Sequence, residues 1–216
     1  MARPKGGTLR KVAGLILAAG ASTRIGAPKQ LLPAGDTCIL DLVLKEALDS
    51  NLHRVYLVLG YESDRIMARL RTDPHHSKLS IVENPAYKQG MSTSIIAGLS
   101  LAETLYGDIM IILADMPFVN REVINRLLHS YLHSGLPLGA VKVGGKRSHP
   151  VIVNRVFYGD LHRLKGDVGA RGLFRKFPDR VFLLEVDEGP YDMDIDTMED
   201  YEKFREYIKN HSRERG

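Results

Sequence analysis

The chain has 216 residues, 44% of them hydrophobic and 26% charged, which gives one large globular domain and excludes disordered, collagen-like and low-complexity classes. A formal net charge of +4 suits an anionic substrate but makes no case for a nucleic-acid partner. One cysteine, Cys38, excludes a disulfide framework and any cysteine-based zinc site, and fits a reducing compartment.

Arg3, Lys5, Arg10 and Lys11 stand ahead of an apolar stretch at 12–19, which imitates the basic and apolar parts of a secretory signal. The stretch is short, Gly14 interrupts it, and cleavage after it would remove the first strand. The expected location is therefore the cytoplasm, with secretion the lesser alternative. No apolar run approaches the roughly 18 residues that span a membrane, so no membrane partner is expected.

Residues 12–18 predict the first strand, and 55–59 and 109–114 share its character. Each is rich in Val, Ile and Leu without alternation, the pattern of strands buried on both faces of a parallel sheet. Residues 79–83 are a weaker strand. Between them lie helical spacings. Residues 39–50 put Leu40, Val43, Leu44, Ala47 and Leu48 on one face, and 62–70 make a shorter helix. Residues 92–104 carry Ile95, Ile96, Leu99 and Ala102; 121–133 carry Ile124, Leu127, Leu128 and Tyr131. Strand and helix alternate as far as residue 133, which predicts an α/β domain wound from βαβ units.

Beyond it, 138–143 and 151–154 predict strands around the Gly144-Gly145 turn and Ser148-His149-Pro150. A short helix at 160–164, a glycine-rich run at 166–171, a helix to about 177 and a strand at 181–185 follow. Asp196 or Thr197 caps the last helix, with Asp200 placed to close a capping box on Thr197. The charged tail 209–216 is expected to fray. No repeat or linker divides the chain, so it reads as one domain, 1–216, with its core at about 12–207 between a basic N-terminal and a charged C-terminal tail.

The segment Leu17-Ala18-Ala19-Gly20-Ala21-Ser22-Thr23-Arg24-Ile25-Gly26-Ala27-Pro28-Lys29 directly follows the first strand. Small residues allow a tight turn that aims successive N–H groups at phosphate oxygens, and Arg24 and Lys29 add charge. Ligands of open α/β sheets bind beyond the carboxyl ends of the strands, where this loop falls. A loop that merely turns a corner is the plainer alternative. The segment is not a Walker A loop, because Ala27 follows Gly26, and Ala21-Ser22 breaks the dinucleotide spacing. Both failures count against P-loop NTPases and ordinary dehydrogenases.

This segment resembles the signature of nucleotidyltransferases of the Rossmann-like glycosyltransferase-A type, and more narrowly the molybdenum cofactor cytidylyltransferase group of the MobA-like family. The likeness continues in Asn84-Pro85, Gly90-Met91-Ser92-Thr93-Ser94-Ile95, Ala97-Gly98-Leu99 and Ala114-Asp115-Met116-Pro117. Ser148-His149-Pro150-Val151, Gly166-Asp167-Val168-Gly169-Ala170-Arg171 and Asp194-Ile195-Asp196-Thr197 complete it. The motifs keep their order over about 12–207. Four positions depart from the usual pattern: Ile25 for Met, Ala114 and Ser148 for Gly, and Met198 for Pro. None removes an expected catalytic side chain. The resemblance implies a three-layer αβα sandwich with a mostly parallel central sheet, as in nucleotide-diphospho-sugar transferases.

Asp115 closes the strand 109–114, and Mg²⁺ is typically held by one or two carboxylates plus substrate phosphates. Asp194 and Asp196, two apart in an extended segment, face one side and are candidates for the second ligand. A helix cap is an equal reading for Asp196, and a turn residue the lesser one for Asp115. Gly90–Ser94 open a helix whose N–H groups, with the hydroxyls of Ser92 and Ser94, suit a base edge or ribose. Simple N-capping by Ser92 is the alternative. By resemblance Ala18, Gly90 and Ser94 lie near a pyrimidine ring. His149 with Gly166, Asp167, Gly169 and Arg171 is the expected acceptor site, against a glycine-capped loop with an exposed ion pair; the role of His149 rests on the resemblance. His129 and His133 read as a solvated face, His75-His76 as a loop and Cys38 as an idle thiol.

The leading expectation is a Mg²⁺-dependent enzyme that moves CMP from CTP to the terminal phosphate of Mo-molybdopterin. Such catalysis is mostly positioning and charge neutralisation. Leu17 to Thr23 line the nucleotide, Arg24 and the loop backbone hold the β- and γ-phosphates, Lys29 neutralises the α-phosphate and Asp115 anchors the metal. Guanylyl or sugar-phosphate transfer is the runner-up, since Ala19-Gly20 only leans towards cytidylyl. A cofactor carrier or insertion partner for an apo molybdenum hydroxylase is another class, and a nicotinamide-dependent oxidoreductase a third.

Overall fold

Val12–Leu17 forms β1, the strand around which the sheet is wound. In the computed structural model, which describes residues 10–22, 25–187 and 189–212, it is followed by β2 (Pro33–Ala34), β3 (Thr37–Cys38), β4 (Arg54–Leu59) and β5 (Leu79–Glu83). Then come β6 (Asp108–Leu113), β7 (Leu138–Val143), β8 (Lys146–Asn154) and β9 (Val181–Val186). The helices are α1 (Ile39–Leu48), α2 (Ser63–Met67), α3 (Met91–Ala102), α4 (Arg121–Ser134), α5 (Tyr158–His162), α6 (Arg171–Lys176) and α7 (Met198–Ser212).

The main sheet has the order β5-β4-β1-β6-β8-β7-β9. Every strand runs parallel to β1 except β8, which is antiparallel to both its neighbours. The reversal has a local cause. Gly144 and Gly145 take φ of 52° and 79°, which is what a two-residue hairpin turn with positive φ at both positions requires. The fold is thus α/β with a mostly parallel sheet, as expected. β8 is longer than the sequence predicts, starting at Lys146 rather than 151. Its first half is polar and partly exposed and lacks the apolar run that marks its second half. The small β2–β3 hairpin was also not expected; each strand has only two residues, too few for a pattern.

Alternation along the buried strands sends side chains to two cores. Ile16, Leu57, Leu59, Met110 and Ile112 pack against α1, α2 and α4 on one face. Leu15, Val58, Ile109 and Ile111 pack against α3, α5 and α6 on the other. The result is a three-layer sandwich. Each fully buried Leu or Ile contributes about 1.5–3 kcal/mol. α3 lies unusually close to the sheet because Gly98 has no side chain: a β-carbon there would meet Val58 at 3.1 Å and Leu15 at 3.2 Å. A third, smaller core of Ala34, Ile39, Ile195, Tyr201 and Phe204 attaches α7 to the β2–β3 hairpin. The capping box opens α7 as predicted: Asp200 accepts from the N–H of Thr197 at 2.8 Å, and Thr197 Oγ1 accepts from the N–H of Asp200 at 3.2 Å.

At the amino end of β6, Asp108 is 1% exposed. It pairs with Arg10 and accepts from Tyr131 Oη at 2.7 Å and Asn154 Nδ2 at 2.8 Å. This knot ties the chain start, α4 and β8 to the sheet end opposite the loops discussed next. Among the described residues no helix is long and apolar enough to cross a membrane.

Candidate active site

From β1 the strand order proceeds through β4 to β5 on one side, and β6 returns to the other. The crevice beyond the carboxyl ends of β1 and β6 is therefore the topological switch point, where open α/β sheets bind ligands. Leu17 is level with Val58 and with Leu113, so the segments after all three strands emerge at one edge. A cleft of about 540 Å³ lies there, lined by Leu17, Ala19 to Ser22, Lys29, Gly90, Ser94 and Asp115, among others.

The loop after β1 is shaped by a residue that the sequence reading passed over. Gln30 is 3% exposed, and its Nε2 donates to the carbonyls of Ala18 at 2.9 Å and Gly20 at 3.1 Å. The N–H of Lys29 donates to Ser22 Oγ at 3.1 Å, and Ser22 takes a φ of 50°. Ala18 itself is buried, its N–H bonded to the carbonyl of Val58 at 2.9 Å. Thr23 and Arg24 lie outside the described residues.

Lys29 Nζ donates to Asp115 Oδ2 at 2.5 Å and to Asp196 Oδ1 at 2.7 Å. Burial works against its charge, but the two carboxylates outweigh burial and hold the ammonium above its ordinary pKa. The other oxygen of Asp115, Oδ1, is buried with no hydrogen-bond partner. The segment 194–196 is pinned beside it, since the N–H of Ile195 donates to the carbonyl of Asp115 at 3.0 Å. Asp196 lines the cleft and Asp194 the adjoining cavity. Burial, then the like charges of Asp196 and Asp115, raise the pKa of Asp194. The cap of α7 is Thr197 rather than Asp196.

Among the described residues no group of three or more His, Cys, Asp or Glu is arranged to hold a metal by itself. The donor set instead suits a hard cation held by one or two carboxylates and completed by phosphate oxygens. The unpartnered Asp115 Oδ1 is the particular feature that fits such an ion, because a buried acceptor without a donor is costly.

At the start of α3, Asn84 is buried and its Nδ2 donates to Thr93 Oγ1 at 2.9 Å and to Ser94 Oγ at 3.0 Å. This holds Ser94 at the cleft wall. Ser92 behaves otherwise than expected: it is 1% exposed, outside the cleft lining, and does not cap the helix. The cap comes from far along the chain. Asp167 Oδ1 accepts from the N–H of Met91 at 3.2 Å, and the carbonyl of Gly166 from the N–H of Ser92 at 3.1 Å.

The adjoining cavity, about 320 Å³, is lined by Arg147, Ser148, His149, Gly169, Arg171 and Asp194, with Phe174 beneath. His149 Nδ1 lies 3.5 Å from the carbonyl of Ile111. Burial lowers the pKa of His149, only partly opposed by that carbonyl and by Asp115. Arg147 stacks on Phe174 at 5.0 Å. Of the five residues expected at an acceptor site, His149, Gly169 and Arg171 meet here. Asp167 does not; capping α3 draws it to the nucleotide-side cleft, while Gly166 packs on Gly90. Asp167 and Arg171 form no ion pair among the described residues. Arg147 was missed, although it stands two residues before His149 on a strand, a spacing that puts both on one face.

Comparison with known proteins gives the family of the chain. Residues 14–181 match the MobA-like NTP transferase domain. The chain is 30% identical to the nicotine blue oxidoreductase of Paenarthrobacter nicotinovorans, over 87% of this chain and 93% of that one. It is 32% identical to the purine catabolism protein PucB of Bacillus subtilis, over 89% and 95%. It is 29% identical to the molybdenum cofactor cytidylyltransferase of Escherichia coli, over 65% and 69%. Among solved structures, the homolog of Mycobacterium tuberculosis Rv0371c from Mycobacterium sp. strain JC1 superposes with a TM-score of 0.80 at 29% identity, covering 92% of this chain and 97% of that one. The complex of Rv0371c with manganese, from Mycobacterium tuberculosis H37Rv, gives 0.75 at 28%, covering 90% and 97%. The match across most of the chain, over a site at the switch point of the sheet, makes this protein a member of the MobA-like NTP transferase domain family, a nucleotidyltransferase family.

Proposed function

We propose that this chain transfers CMP from CTP to the terminal phosphate of Mo-molybdopterin, releasing pyrophosphate and giving the cytosine dinucleotide form of the cofactor. The observation that carries the reading is the group Lys29, Asp115 and Asp196 at the switch point, with an unpartnered carboxylate oxygen facing no donor. The cytidylyltransferase relative supports the base and the acceptor, and the manganese complex supports use of a divalent ion.

Lys29 neutralises the α-phosphate as the acceptor phosphate attacks and the pyrophosphate bond breaks. The backbone from Ala19 to Thr23, with Arg24, holds the β- and γ-phosphates. Gly90 and Ser94 receive the base, Ser94 being oriented by Asn84. His149, Gly169 and Arg171, joined by Arg147, receive the acceptor in the adjoining cavity. Asp115, with Asp196 or Asp194, would hold Mg²⁺, which supplies charge neutralisation across the phosphates. An apo molybdenum hydroxylase is the partner that would take the product.

A second reading is a nicotinamide-linked oxidoreductase: one relative is named an oxidoreductase, while the absence of the dinucleotide fingerprint from the loop after β1 opposes a nicotinamide cofactor. One experiment separates the two: thermal shift with CTP, GTP, UTP, ATP and NADH, each with and without Mg²⁺. A ligand at 100 times its Kd adds about 2.7 kcal/mol, roughly 5–10 °C for a chain of this size. A Mg²⁺-dependent shift selective for CTP supports cytidylyl transfer. A GTP-selective shift replaces the base, and a shift with NADH alone overturns the reading.

A further inference from the structure

Lys29 bridges two of the three carboxylates that a divalent ion would draw on, Asp115 and Asp196. Its ammonium lies 2.5 Å from Asp115 Oδ2 and 2.7 Å from Asp196 Oδ1, and its side chain is only 17% exposed. A divalent ion drawing on the same two carboxylates meets a resident cation at close range, where like charges repel; Lys29 and Asp115 are largely shielded from water, and Asp196 is 42% exposed. The ion gains the carboxylates only if the ammonium leaves, and the ammonium leaves only if another anion receives it. The cleft in which Lys29 sits is the one whose loop suits a triphosphate. A lysine, with a flexible four-carbon stem and a compact charge, is suited to such a move.

We propose that Lys29 has two stations: without nucleotide it bridges Asp115 and Asp196 and keeps divalent metal out, and with nucleotide it moves to the phosphates and yields both carboxylates to the ion. Metal binding is then conditional on nucleotide, and by linkage each ligand tightens the other by the same factor. The unpartnered Asp115 Oδ1 is the part of the metal seat that the ammonium leaves unfilled. The inference rests on the nucleotide–metal reading of the cleft and adds an order of assembly to it.

The test is direct Mn²⁺ binding to the full chain, read from the free-ion electron paramagnetic resonance signal, with and without CTP and corrected for Mn²⁺ bound by CTP alone. The wild type is expected to bind Mn²⁺ weakly by itself and at least about tenfold more tightly with CTP, within the usual range of coupling between sites. Lys29→Met is expected to bind Mn²⁺ alone at least about tenfold more tightly than the wild type, and Lys29→Arg, which keeps the cation, to stay near it. Adding Asp115→Asn to Lys29→Met is expected to abolish the gain, which locates the ion. Lys29→Gln repeats the test if the methionine variant melts early. Equal affinity of Lys29→Met and wild type for Mn²⁺ alone overturns the two-station proposal while leaving the metal site intact if CTP still recruits Mn²⁺. Failure of the wild type to take up Mn²⁺ even with CTP overturns the underlying reading as well.

Discussion

Gly90 and Gly166 are in contact, so close that a β-carbon on Gly90 would stand 2.3 Å from the carbonyl carbon of Gly166. The carbonyl of Gly166 also accepts the N–H of Ser92, and the carboxylate of the next residue caps Met91. The start of α3, which faces the nucleotide-side cleft, is therefore built on the loop that leads into the acceptor-side cavity. A disturbance at this contact reaches both.

Gly90→Ala tests that relationship. The φ of 104° is strained for any L side chain, and the new methyl group meets backbone that has no freedom to retreat. A loss of about 1–3 kcal/mol is expected in urea unfolding, together with weakened CTP binding. Gly169→Ala is the control. Its β-carbon would meet only the flexible thioether of Met91, at 3.0 Å, so the loss is expected to be well under half as large. Equal losses in the two variants would contradict a special role for the Gly90–Gly166 contact.

Replacing Lys29 with alanine separates binding from chemistry. If the ammonium acts chiefly on the transition state, kcat falls by about 10²–10³-fold, as for loss of one oxyanion-stabilising donor. The Kd for CTP should change by far less. Steady-state kinetics with a parallel binding measurement gives both numbers. Loss of CTP affinity with kcat unchanged would mean that Lys29 serves uniform binding only.

The pH dependence of stability has a predictable contribution from His149. Its pKa in the folded protein is depressed, chiefly by burial, from the ordinary value near 6.5. Below about pH 6.5 the unfolded chain takes up a proton that the folded protein refuses, so stability falls as pH drops from there to the folded pKa. Above pH 6.5 the residue contributes no slope. Measured as urea unfolding between about pH 5 and 7.5, the slope is at most about 1.4 kcal/mol per pH unit. His149→Gln should reduce it. The comparison is made between the two proteins at each pH because carboxylates titrate in both. Parallel curves would show that the ring is solvated enough to protonate freely.

What the sequence made legible follows from the kind of physics each feature uses. β1 and β6 were readable because burial on both faces forces an unbroken apolar run, and the capping box of α7 because Thr197 and Asp200 are three residues apart. Gln30 was not readable. A buried amide that bonds the carbonyls of Ala18 and Gly20 leaves no periodic trace, and its partners are backbone groups with no residue type. Asp167 was readable as polar and placed by glycine, but its target, the N–H of Met91, lies 76 residues away. Ser92 misled for the opposite reason: its type and position suited a cap that Asp167 supplies from outside. The polar half of β8 holds because Lys146 to Ser148 pair with Val141 to Val143, a ladder that needs no apolar side chain on the exposed face.

The knot at the far end of the sheet provides a stability prediction that is independent of the chemistry. Asp108 is 1% exposed and takes hydrogen bonds from Tyr131 and Asn154 beside its pair with Arg10. Desolvation, then the hydrogen bond to Asp108, raises the pKa of Tyr131 far above the ordinary phenol, so it remains a neutral donor there. Asp108→Ala removes the acceptor of three donors at once. Breaking one side of a buried pair typically costs about 3–5 kcal/mol. Arg10 keeps 40% of its side chain exposed and can turn to water, which places the expected loss near the lower end, about 3 kcal/mol. Tyr131, fully buried, has no such outlet and accounts for most of it, whereas the amide of Asn154 keeps the carbonyl of Gly107 at 3.3 Å. Urea unfolding of the variant measures the loss. CTP affinity should be unchanged, since Asp108 lies at the amino end of β6 and the cleft at its carboxyl end. A loss below about 1 kcal/mol would place this cluster among surface pairs of little weight.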